Sequence, residues 1–336
     1  MKIVLVSNWN TLFLNTNYYR AEALRALGHE VVFFDVRRYI FPGRVRAWLP
    51  SLASAEREWM NNALVRCVQK EKPGLCLVVG GADILPKTVR CLRALGMPVF
   101  LWTTDAPHPD QMAVILPAAK EYSRIFCAGT EAVDILRNAG VAEVEWLPFA
   151  CDPERHAPAA LRPEDEHYRR DISFVGAYYP NRLSVLETLA EMNLGIWGPH
   201  WNRVPAHSSL REKTRHAWIN VDEWVKIYSW AGIVLVVHFQ DGKIPCYQAS
   251  PKLFEAMACG AFVLCDDQKD ARAIFKEGEH VVFFKDAADL KDKARYYLEH
   301  PALRARIAAA GRQEALARHT YQHRMRVIMD AAGGRI

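Results

Sequence analysis

The chain has 336 residues, 51% of them hydrophobic and 24% charged, and a net charge of +5. That length exceeds one ordinary domain and suits two of about 150 residues each. The composition excludes a disordered or collagen-like chain, and so mild a positive charge does not by itself argue for nucleic acid. It does suit a site for an anionic ligand.

Met1-Lys2 runs directly into Ile3-Val4-Leu5-Val6, which reads as a core strand and not as a secretory leader. Apolar runs such as Ala231–Val237 fall short of the ~20 residues that span a bilayer. The eight cysteines show neither a C-x-x-C pair nor metal-ligand spacing, so they read as reduced core residues of a cytoplasmic protein.

In the first half, short apolar runs alternate with helical segments. Strands are expected at Ile3–Ser7, Glu30–Asp35, Leu75–Val79, Val99–Trp102 and Ile125–Ala128. Helices are expected at Tyr18–Leu27, Arg57–Glu71 and Thr88–Leu95, the first and last stopped by Gly28 and Gly96. This is the pattern of a parallel sheet covered on both faces, with ligands beyond the C-terminal strand ends. Apolar periodicity stops after Trp146-Leu147-Pro148-Phe149-Ala150-Cys151-Asp152-Pro153, and a polar stretch runs to Arg170. A domain boundary is therefore expected near 150. A second alternation follows. Strands are expected at Ile172–Gly176, Leu194–Trp197, Ile233–His238, Ala261–Cys265 and Val281–Phe284, and helices at Arg182–Met192, Asp222–Ser229 and from Asp270. The remainder, Asp289–Ala332, reads as helical.

Residues 250–265 are the most informative stretch. Ser250 is a good N-cap, Pro251 suits the first helical position, and Lys252 and Glu255 share one helical face. A helix start and a cation suit a phosphate, and a carboxylate one turn further suits ribose hydroxyls. The other reading is a plain amphipathic helix with a surface ion pair. Phe174-Val175-Gly176 followed by Arg182 reads as strand, glycine turn and helix start, where the backbone lets a diphosphate approach and the guanidinium pairs with it; the alternative is an ordinary turn with an exposed arginine. His238 ends a strand, as a diphosphate or sugar contact or as a structural histidine. No G-x-G-x-x-G follows the first strand of either half, no P-loop is present, and no metal cluster is expected.

Three of these runs carry a resemblance: Phe174–Arg182, Gly195–Trp201 and Ser250–Gly260, with the ending Arg318–Arg324. They resemble the CgeB-like (spore-maturation type) glycosyltransferases, related to the retaining family 4 enzymes. The resemblance covers most of the chain and is strongest over residues 146–325. It implies an α/β GT-B fold, two Rossmann-like domains facing across a cleft. Residues 1–150 would form the acceptor side, 151–315 the nucleotide-sugar donor domain, and 316–336 a helix crossing back to the first domain. The implied function is sugar transfer from a nucleotide-sugar to a hydroxyl acceptor, retaining and metal-independent, with UDP-sugar as the default co-substrate and no cofactor.

Under that resemblance Gly176, Arg182, His238, Tyr247, Ser250, Lys252 and Glu255 would bind the donor. Tyr247 stands where the family 4 pattern E-x7-E has its first glutamate, a departure that puts retention in question. Asp105, which ends the run Val99–Thr104, would be the acid or base, with His108 taking the role of the displaced family histidine; the alternative is that Asp105 caps the next helix. The acceptor would be a protein, a glycan or a lipid-linked group. Residues Arg37–Leu49, rich in arginine and aromatics, suggest peripheral membrane contact, or else a solvated loop. The missing first glutamate leaves two further readings, a non-catalytic GT-B protein that binds a nucleotide or partner, and a GT-B sugar epimerase.

Overall fold

The computed structural model describes residues 1–9, 16–37, 43–105, 107–160, 162–216, 219–240, 242 and 246–333. The chain divides into two compact units. One is Met1–Pro148 with Gln322–Ile336, and the other is Phe149–Tyr321.

The first unit is built on β1 (Lys2–Ser7), β2 (Glu30–Asp35), β3 (Leu75–Val79), β4 (Val99–Thr103), β5 (Arg124–Cys127) and β6 (Val144–Trp146). They form one sheet in the order β2-β1-β3-β4-β5-β6, and every neighbouring pair is parallel. Its helices are α1 (Thr16–Ala26), α2 (Gly43–Trp48), α3 (Pro50–Glu71), α4 (Pro86–Ala94), α5 (Pro109–Ala119) and α6 (Thr130–Asn138). Every residue of β3 and β4 is buried, because helices cover both faces of the sheet. Val4, Val6, Cys76, Val78, Val99 and Leu101 contribute to one apolar core.

The second unit contains β7 (Arg170–Val175), β8 (Leu194–Gly198), β9 (Thr214–His216), β10 (Ala231–Val236), β11 (Val263–Asp266) and β12 (Val282–Phe284). The sheet order is β12-β11-β10-β7-β8-β9, again parallel throughout. The helices are α7 (Pro180–Glu187), α8 (Val221–Trp230), α9 (Pro251–Ala258), α10 (Lys269–Ile274), α11 (Ala287–Glu299) and α12 (Pro301–Arg318). Chain order reverses between β7 and β10, so the crevice beyond their C-terminal ends is the expected ligand position in this unit. Phe174, Ile196, Leu235, Leu264 and Val282 pack in its core.

Both ends of the second unit meet. Cys151 N–H donates to His319 O at 2.9 Å, and Tyr321 N–H donates to Cys151 O at 2.9 Å. A last helix, α13 (Tyr321–Ala331), then groups with the first unit, where Arg324 Nε donates to Pro148 O at 2.9 Å. The helical tail expected over Asp289–Ala332 consists of three helices, with Pro301 opening α12 and an extended residue pairing, Cys151 with Thr320, following its end. Among the described residues no helix is long and apolar enough to cross a membrane. No disulfide links the cysteines.

Candidate functional site

Helix α9 is the centre of the site. Ser250 is its N-cap and Pro251 its first residue, and the Ser250 side chain accepts from Lys252 N–H at 3.4 Å. Leu253, Phe254, Ala256, Met257 and Ala258 are fully buried, so the helix is wrapped in protein. On this helix Lys252 and Glu255 line a cavity of about 300 Å³. Gly176, Gly198, Trp224 and Tyr228 line it as well, which places it beyond the C-terminal ends of β7 and β8, beside α8 and α9.

The side chains of Lys252 and Glu255 form no hydrogen bond or ion pair among the described residues. Burial pushes the Lys252 pKa down, and the nearby positive charge of Arg182 adds to the effect, against the pull of Glu255. Burial pushes the Glu255 carboxyl up, against the pull of Lys252. Two desolvated, unpartnered ionisable groups beside an open cavity cost stability. A ligand with an anionic part and hydroxyl donors offsets that cost.

Arg182 is 7% exposed and firmly held. Its Nε donates to Val237 O at 2.9 Å and its Nη1 to Ala177 O at 3.0 Å, and its guanidinium lies 5.0 Å from the Tyr179 ring centroid. It therefore acts as a fixed positive charge behind Gly176. The close approach there demands glycine. A Cβ at Gly198, whose φ is +141°, would lie 2.2 Å from Gly176 O.

Two expected phosphate donors are engaged elsewhere. The Gly176 amide donates to Trp197 O at 2.8 Å, and the Ser250 amide donates to His238 Nε2 at 2.8 Å. The amides of Gly176 and Ser250 themselves are therefore engaged within the protein, and Lys252 is the cation that lines the cavity. His238 is likewise engaged at both ring nitrogens, its Nδ1 meeting Asp266 Oδ1 at 2.6 Å. That leaves no ring nitrogen for a donor contact. The ring of Tyr247 lies 4.8 Å from Lys269 Nζ.

Sequence reasoning missed Trp224 and Asp266. Trp224 lines the cavity, and its buried indole N–H has no acceptor among the described residues. Asp266 is a buried carboxylate at the end of β11. Burial alone would raise its pKa, but bonds from His238 and Gln268 hold it below the usual range. The signal for Trp224 was present in the sequence, as a tryptophan in the first turn of a helix with a capping box at Asn220 and Glu223.

A larger cavity, about 750 Å³, is lined by Arg272, Lys276, His280 and Arg318 of the second unit. Its charges are mutually paired: Arg272 meets Asp267, Lys276 meets Glu279 and Arg318 meets Glu314. It lacks the unmet polar groups of the smaller cavity.

In the first unit Asp105 follows β4 and is exposed, with no hydrogen bond among the described residues. Partial desolvation raises its pKa, against the pull of Arg20. The N-cap of α5 is His108 and not Asp105, so the helix-cap alternative does not hold. Of the Arg37–Leu49 segment, residues 38–42 lie outside the described residues; Gly43–Trp48 form α2, and Trp48 is 79% exposed.

A family model described as glycosyl transferase-like matches residues 181–330. Spore protein CgeB of Bacillus subtilis is 22% identical over 267 residues, 76% of this chain and 81% of CgeB. Sucrose-phosphate synthase of Thermosynechococcus elongatus superposes with a TM-score of 0.69 at 13% identity, covering 98% of each chain. Anabaena HepE, solved in complex with UDP-glucose, superposes with a TM-score of 0.70 at 12% identity, covering 99% of each. The matched domain includes α8 and α9, which line the cavity, and the chain has the GT-B fold that these glycosyltransferases share.

Proposed function

We propose that the cavity at α9 binds a nucleotide-sugar, with UDP-sugar as the default donor, and that the enzyme moves its glycosyl group to a hydroxyl acceptor. The observation that carries this reading is the pair Lys252 and Glu255, ionisable and unpartnered on a buried helix beyond the C-terminal end of β7. Lys252 would take the diphosphate, under the fixed charge of Arg182. Glu255 would accept from the ribose hydroxyls, and the Trp224 indole N–H would donate to a base carbonyl. HepE, a structural neighbour, was solved with UDP-glucose.

In the transfer, the bond from the anomeric carbon to the diphosphate oxygen breaks and the acceptor oxygen forms the new glycosidic bond. The electron pair leaves with the diphosphate, where Lys252 stabilises the developing charge. The acceptor proton goes to Asp105, whose carboxylate burial makes more basic, with His108 three residues later as the second candidate. We assign residues 1–150 to the acceptor side and 151–315 to the donor side, and read the transfer as retaining and metal-independent. The acceptor is a protein, a glycan or a lipid-linked group, and Arg37–Leu49 would make peripheral contact with a membrane surface.

A panel of nucleotide-sugars incubated with the protein tests this. Slow release of the nucleoside diphosphate, persisting after chelation, supports it. No release from any donor contradicts it, and release that requires added manganese or magnesium contradicts metal independence.

A further inference from the structure

The end of β10 is a junction. Asn181 Nδ2 donates to His238 O at 2.9 Å and Arg182 Nε to Val237 O, so the start of α7 is fastened to residues 237 and 238. Ser250 N–H donates to His238 Nε2 at 2.8 Å, so the start of α9 is fastened to the same histidine. A backbone N–H only donates, which makes Nε2 the acceptor and places the ring proton on Nδ1. That proton points at Asp266 Oδ1, 2.6 Å away. Asp266 also accepts the His238 backbone N–H at 3.1 Å, and Gln268 Nε2 donates to its other oxygen at 2.8 Å. His238 is 3% exposed, so water does not substitute for these bonds.

We propose that Asp266 and His238 are positioning residues for the donor site. Asp266 fixes the tautomer and orientation of His238, and His238 fixes Ser250, so that the first turn of α9 carries Lys252 into the cavity. The proposal rests on the reading of this cavity as a nucleotide site. His238, Asp266 and Cys265 also bring metal-type ligand atoms within 4.8 Å of one another. Hydrogen bonds already occupy the histidine nitrogens and both carboxylate oxygens, so the cluster reads as a relay and not as a metal centre.

The relay acts on the phosphate end of the ligand, so its signature is the affinity ratio of UDP to uridine on the full chain. His238→Ala should weaken UDP binding about 10- to 100-fold, the scale of a lost buried hydrogen bond. Uridine binding should change less than about threefold, within the scatter of a distant substitution. His238→Gln offers an amide oxygen to Ser250 and an amide donor to Asp266, and should regain most of the UDP affinity. His238→Met fills the same space with no comparable acceptor and serves if the alanine variant does not fold. Amide hydrogen exchange reads the contact without any ligand. The Ser250 amide should lose protection in the alanine or methionine variant and keep it in the glutamine variant. An unchanged UDP-to-uridine ratio, or glutamine as poor as alanine, overturns the proposal. If the native protein binds no UDP, the nucleotide reading fails, and the exchange result alone decides whether His238 holds the α9 start.

Discussion

Lys252 and Glu255 stand three residues apart on α9, line the same cavity, and form no ion pair with each other. In a surface helix this spacing commonly gives a pair worth a few tenths of a kcal/mol. Here the two side chains line a cavity instead, and under the proposed function each would meet the donor. Glu255→Ala should weaken nucleotide binding by about 1.5–3 kcal/mol, the scale of a hydrogen bond to a charged group. Calorimetry on a folded variant measures it, and unchanged affinity removes Glu255 from the ribose.

The two groups also set the pH dependence of binding. The pKa of Lys252 is lowered, so its charge is lost at a pH below the ordinary lysine value of 10.5. The pKa of Glu255 is raised, so its charge is lost at a pH above the ordinary glutamate value of 4.5. Binding that uses both charged forms should therefore peak in a narrow range near neutrality and fall on both sides of it. UDP titrations from pH 5.5 to 9.5, about the span of the two displaced transitions, check this. A flat profile across that range contradicts it.

The same shifts predict a stability cost in the unliganded protein. A lowered lysine pKa means stability present above 10.5 is lost as pH falls through the displaced value. A raised glutamate pKa means stability present below 4.5 is lost as pH rises through the displaced value. Near neutrality both costs apply. Lys252→Met should raise Tm by about 2–4 °C, the shift that ~1 kcal/mol gives in a domain of this size, while abolishing the response of Tm to UDP. A lower Tm in a folded variant would show that Lys252 is stabilising and has a protein partner.

Asp105 should matter to turnover and not to donor affinity. It belongs to the first unit, whereas Lys252, Glu255 and Arg182 belong to the second. Asp105→Asn should slow turnover about 100-fold or more, the scale of a lost general base, with UDP affinity within about twofold of native. Near-native turnover transfers the role to His108; lost UDP affinity reverses the assignment of the two units.

Much of this architecture was legible because it is written locally. Apolar runs separated by amphipathic helices announced the parallel sheets, and Ser250-Pro251 announced the start of α9. The three-residue edge strands β6 and β9 carry no such run: Thr214-Arg215-His216 is polar and pairs only along one side. Helix α5 was hidden by Pro117 in its interior, and α3 starts seven residues earlier than expected because Pro50 sits at its first turn. The role of His238 was illegible for a different reason. Its partners are Asp266, 28 residues away, and the amide of Ser250, so only the tertiary fold shows that its nitrogens are engaged. The same holds for the Gly176 and Ser250 amides, which look free in a sequence and are bonded in the fold.

The most direct test is a crystal structure of the chain soaked with UDP. The account predicts the diphosphate at the start of α9 within hydrogen-bond reach of Lys252 Nζ, and the ribose hydroxyls on the Glu255 carboxylate. UDP at saturation bound elsewhere in the molecule, with Lys252 and Glu255 untouched, would contradict it.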